Sequence, residues 1–169
     1  MHVRDFERLY DYSCWANQKL FGVIAGLTAE QFTQPVAGSY GSIRNTLVHV
    51  LSAEWGWLER CGGPPRGDRL KADDYPTLAS VVELWNRVEA QMRSYLANLK
   101  DEDLDQDVEF TLGPVGKHVV PRGHLFQHAV MHAVHHRGQV AVLLRALGHT
   151  PGDFDVLFYD IGRSAVATS

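Results

Sequence analysis

The sequence predicts an all-α protein, a bundle of four long helices with one small β-hairpin inserted before the last. Three observations carry this. Four stretches repeat apolar residues at helical spacing and carry start and stop signals at their ends. A single pair of alternating segments flanks a Gly-Pro turn. At 169 residues, with no internal repeat and no low-complexity segment, the chain suits one domain spanning residues 1–169.

Residues 4–26 read as the first helix, with Phe6, Leu9, Tyr10, Leu20, Phe21 and Ile24 at helical spacing and Gly26 as the stop. Thr28 and Gln31 form a capping box that opens a short helix ending near Thr33. The stretch "PVAGSYGS" is a loop. Ser42 caps the second long helix, 43–60, which "CGGPPRGD" terminates. Thr77 caps the third, 77–99. The acidic run "DEDLDQD" reads as a solvated surface turn, and "VEFTL" and "GKHVV" as the two hairpin strands. Pro121 opens the last long helix, about 121–147, and Gly148 closes it. The tail, 149–169, is expected to hold one turn near "DFDVLFYD".

Composition narrows the functional classes. The 16 Lys and Arg are scattered and outnumbered by 20 acids, which excludes a nucleic-acid stripe. No stretch is long and apolar enough to span a membrane, and the N-terminus lacks a signal-peptide pattern. Two cysteines make no disulfide framework; Cys14 and Cys61 read as packing residues, and the cytoplasm is the expected compartment.

The last long helix carries the chemistry. "HLFQHAVMHAVHHRGQ", residues 124–139, holds five of the nine histidines. On a helical wheel His128 and His136 lie roughly 40° either side of His132, and Leu125, Leu143 and Gln139 fall within the same arc. The opposite side carries Phe126, Val130, Val134 and Leu144, so the helix is expected to be buried all round. Buried imidazoles need partners. Two at i, i+4 converge on one metal ion. Spacing leaves the pair open: 128/132, 132/136, 132/135 and 128/135 all share a face. No Glu follows the first His, so the segment builds in no carboxylate base. Arg137 is expected to pair with another helix, and Gly138 to let a helix or ligand approach.

A third ligand would complete a catalytic site. His49, mid-helix in "NTLVHVLSAEWGWL", lies opposite that helix's main apolar arc among Thr46, Ser52, Ala53 and Gly56. That face is either solvent or a pocket wall. Glu54 points into the apolar arc, either as a paired core carboxylate or as support behind the site.

"YDYSCWANQKLFGVIAGL", "NTLVHVLSAEWGWL" and "HAVMHAVHHRGQV", in this order across nearly the whole chain, resemble three helices of the DinB/YfiT-like superfamily, and specifically the damage-inducible DinB proteins. The resemblance implies an up-down-down-up four-helix bundle with one divalent metal ion, zinc or nickel, on three histidines. Residue by residue these are His49, His132 and His136. His128, His135 and Gln139 then become neighbours that support the ligands or line a substrate pocket, together with Glu54 and Trp15. Where the family often has Asn, this chain has Met131. The resemblance further implies a bacterial cytoplasmic protein, often a homodimer; composition and hydropathy already point away from nucleic-acid and membrane partners. Its activity is expected to be that of a metal-dependent hydrolase or a thiol transferase of the bacillithiol or mycothiol type, acting on a small molecule or thiol cofactor; the alternative is a non-catalytic metal-binding stress protein.

Overall fold

The computed structural model describes residues 2–166. Six helices and one hairpin follow in order: α1 Val3–Ile24, α2 Ala29–Thr33, α3 Ile43–Arg60, α4 Leu78–Ala97, β1 Asp107–Leu112, β2 Gly116–Pro121, α5 Arg122–Ala146 and α6 Val156–Val166. Side-chain caps set three of the starts. Thr28 accepts from Gln31 N, Ser42 from Asn45 N and Thr77 from Ser80 N, each relieving a first-turn N–H that has no partner within the helix.

The four long helices form a ring in which α1 and α3 each lie against both α4 and α5. Two apolar clusters fill its interior, one at each end. The first joins Ile24 of α1, Leu47 of α3, Val81 of α4 and Leu144 of α5. The second joins Phe6 of α1, Leu58 of α3, Met92 of α4 and Phe126 of α5. Helices α1 and α5 therefore run from the second cluster to the first, and α3 and α4 run the other way: up-down-down-up. Among the described residues no helix is long and apolar enough to cross a membrane.

The hairpin pairs antiparallel, Val108 opposite Val120 and Phe110 opposite His118. Phe110 meets Trp57 of α3 edge-on, ring centroids 5.4 Å apart, which anchors the hairpin to the end of the bundle. The acidic run becomes a 3-10 turn, Asp101–Asp105, with Leu104 its only buried residue.

Three expectations need correction. The tail forms the eleven-residue helix α6, because Tyr159 finds a seat against Tyr12 and Trp15 on α1 that local sequence does not announce. Helix α5 is not buried all round. Met131, Val134 and Val142 are 60%, 43% and 63% exposed, since α5 has ring neighbours only in α1 and α3 and its outer side stays open. Gly138 admits no close neighbour; a Cβ there would meet nothing within 4 Å.

Candidate metal centre

His132 and His136, one turn apart on α5, point toward α3 and meet His49. Nε2 of His132 stands 3.2 Å from Nε2 of His49 and 3.1 Å from Nε2 of His136. One ligand atom from each of the three lies within 4.8 Å of the others. Donors about 2.0–2.1 Å from a tetrahedral ion stand about 3.3 Å apart, so the spacing fits a three-imidazole divalent site.

The protonation of the cluster supports the same fit. His136 directs Nδ1 to Oε1 of Gln139, an acceptor, at 2.6 Å. In neutral His136 the proton therefore sits on Nδ1, and Nε2 presents a lone pair. His132 Nε2 offers one in-plane site, a proton or a lone pair, so it makes a directed hydrogen bond with one of its two Nε2 neighbours and leaves the other contact without one. A cation between the rings relieves that arrangement. Burial first, then the charge of neighbouring His136, lowers the pKa of both His49 and His132 to about 4. Burial also lowers His136, against the Gln139 hydrogen bond that raises it. All three rings are thus neutral at pH 7, the form that ligates metal.

The surrounding residues hold these rings in place. Gln139 Oε1 also accepts from Ser39 Oγ at 2.6 Å, and Gln139 Nε2 donates to His135 Nε2 at 3.2 Å. Tyr40 lies flat on His49, centroids 3.8 Å apart and planes within 19°. Ser39 and Tyr40 come from the loop before α3, whose tight path needs positive φ at Gly38, Ser39 and Gly41 (98°, 53° and 85°). A non-glycine residue in that region costs on the order of 1 kcal/mol or more, and here the strained residue is the one bonded to Gln139. Sequence reading passed over Ser39 and Tyr40; two glycines bracketing Ser-Tyr immediately before the helix that carries His49 were the available signal.

His49 and His132 line an open pocket of ≈ 700 Å³, and His136 lies beneath them, 6% exposed. Ala53 and Trp57 of α3, His128 of α5, and Leu112 and Val115 at the hairpin turn form its walls. His128 meets Trp57 edge-on at 4.8 Å and lies 5.7 Å from His132; burial lowers its pKa.

Two other expected site residues lie elsewhere. Glu54 is buried and accepts from Tyr10 Oη at 2.6 Å. It lines a separate cavity with Phe6, Met92 and Phe126, because its position on α3 faces the ring interior and not the His49 side. Trp15 packs on Tyr159 and Lys19, since its side of α1 faces α6. Arg137 does pair across helices: it is 3% exposed and donates to Ser13 Oγ and Asn17 Oδ1 of α1. Cys14 and Cys61 are buried free thiols in the second apolar cluster.

Comparison with known proteins agrees with this architecture. Protein DinB of Bacillus subtilis (strain 168) is 25% identical over 159 residues, covering 90% of this chain and 91% of that protein. The uncharacterized protein YrdA of the same organism is 30% identical over 148 residues, 87% of this chain and 84% of that protein. A crystal structure of a DinB-like protein from Bacillus cereus ATCC 10987 superimposes with a TM-score of 0.73 at 22% identity, covering 90% of this chain and 97% of that one. The DinB family profile matches residues 1–163, and the chain belongs to the DinB family.

Proposed function

We propose that this protein is a metal-dependent enzyme of hydrolase type whose centre is the His49, His132, His136 triad. The observation that carries the reading is the convergence of three neutral imidazoles at the floor of an open pocket. An inert structural site is closed by a fourth protein ligand, and among the described residues no further His, Cys, Asp or Glu joins the cluster. A divalent ion bound there supplies Lewis acidity and lowers the pKa of water or a thiol at its open position.

The chain's own residues complete the arrangement. Gln139 fixes the His136 tautomer, and Tyr40 restrains the His49 ring by stacking. Trp57 and the hairpin turn shield one side of the pocket from water. His128, neutral at pH 7 and beside His132, is the proton acceptor nearest the cluster within the pocket.

One observation favours a second reading, a metal-dependent thiol transferase. No carboxylate lines the pocket among the described residues, and a metal-held thiol needs no separate base to become a nucleophile.

The test is elemental analysis of untagged protein, followed by cobalt substitution and thiol titration. About one divalent ion per chain in wild type and under a tenth of that in His132→Ala is expected. Equal metal in both proteins refutes the centre. A cobalt spectrum indifferent to added thiol, azide and pH marks a closed site and refutes the enzyme reading.

A further inference from the structure

The pocket above the histidines holds three arginines that the metal site does not use. Arg60, Arg66 and Arg69 line it, and among the described residues no Asp or Glu does. Elsewhere Arg44 pairs with Asp73, and Arg93 with Asp11 and Glu89. Arg60 and Arg66 converge over Gly56, each placing Nη1 3.0 Å from where a Cβ at that glycine would stand. Gly56 is thus the small residue that lets two like charges approach the same spot.

Their hydrogen bonds go to neutral oxygens. Arg60 Nη1 donates to Gly56 O at 2.8 Å, and its guanidinium lies 4.9 Å over the Trp57 ring. Arg66 Nη1 donates to Ser52 O at 2.8 Å and Ser52 Oγ at 3.1 Å, while its Nε, sealed from solvent, has no partner. Glu59 accepts from the Arg66 backbone N–H and does not line the pocket. Two guanidiniums held together without a counter-charge repel each other, and the same geometry is a bidentate receptor for a planar or tetrahedral anion.

We propose that the pocket binds an organic anion, a small molecule with a carboxylate or phosphate group on an apolar body. The anionic group sits on Arg60, Arg66 and Arg69, and the body lies against Trp57, Leu112 and Val115. The inference rests on the metal-centre reading only for where the substrate's reacting group sits; the anion subsite stands on the arginines. A pocket of uniform positive sign also concentrates anions before contact.

The test is isothermal titration of phenyl phosphate, benzoate and phenol into metal-loaded and metal-free protein. Either anion is expected to bind at least tenfold more tightly than phenol, in both forms of the protein and more weakly at high salt. The preferred anion identifies the group as phosphate or carboxylate. Arg66→Gln and Arg69→Gln are each expected to lose at least fivefold in anion affinity with phenol binding unchanged. Arg69 is exposed, so Arg69→Gln reports even where Arg66→Gln does not fold. Phenol binding as tightly as both anions, or both variants matching wild type, overturns the proposal. A chain that takes up no metal yet binds anions through Arg66 and Arg69 refutes the metal centre and leaves the anion subsite standing.

Discussion

Replacing Gln139 with Ala tests whether the metal ligands are oriented from behind. Gln139 joins three groups, but only one bond bears on the triad: Oε1 to His136 Nδ1, 2.6 Å. The bonds to Ser39 and His135 lie at the exposed edge, where water replaces them. Losing one neutral hydrogen bond of the native protein costs about 0.5–1.5 kcal/mol. Freed from Gln139, His136 also gains a ring flip and a second tautomer, about 0.8 kcal/mol of freedom that binding must then remove. The lost bond is present before metal binds, so its loss cancels in affinity; the ordering cost, about 0.8 kcal/mol, weakens metal affinity about fourfold. Ala is a strong helix former, so α5 persists. The assay is competition with a chromophoric chelator for zinc and for nickel at pH 7.5, with circular dichroism to confirm helicity. An affinity within twofold of wild type would refute the claim that Gln139 sets the His136 tautomer.

Three further outcomes are expected. The metal-free protein is most stable near pH 7. His49 and His132 titrate near 4 in the fold against about 6.5 unfolded, so stability falls as pH drops from 6.5 to 4; Glu54, raised by burial from 4.5 to about 7, makes stability fall as pH rises through that window. Two imidazoles outweigh one carboxyl up to about pH 7, above which all three contributions fade together; urea melts in which stability keeps rising from pH 7 to 8 would contradict this. Gly138→Ala adds about 0.5–1 kcal/mol, because the new methyl meets open space and helical glycine costs about that much; a lower Tm would mean something covers that face. Val134→Asp, at a position 43% exposed, costs the single chain under about 1 kcal/mol, whereas a drop in Tm above about 8 °C, with a change in mass by light scattering, would mean a second copy covers the outer side of α5.

What the sequence determined is local. Helix starts at Thr28, Ser42 and Thr77 were legible because a cap needs only a hydroxyl and an N–H three residues on. The hairpin was legible from alternation around Gly113-Pro114. Wheel geometry showed that His128, His132, His135 and His136 cluster on one arc, and the family resemblance singled out His132, His136 and His49. Tertiary structure decided whatever depends on which elements become neighbours. It brought His49 of α3 against His132 of α5, 83 positions further along the chain, and laid Tyr40 against His49 and His136. It sent Glu54 inward to Tyr10 and Trp15 outward to Tyr159. It left Val134 and Gly138 at the surface, although their neighbours along α5 read as buried. It also brought Arg66 and Arg69, from a loop whose sequence announces only turns, to the same pocket as Arg60 at the end of α3, with Arg60 and Arg66 meeting over Gly56. The physical reason is that a helix's periodicity defines its faces, whereas the packing of the ring decides which face meets another helix, which meets water and which walls a pocket.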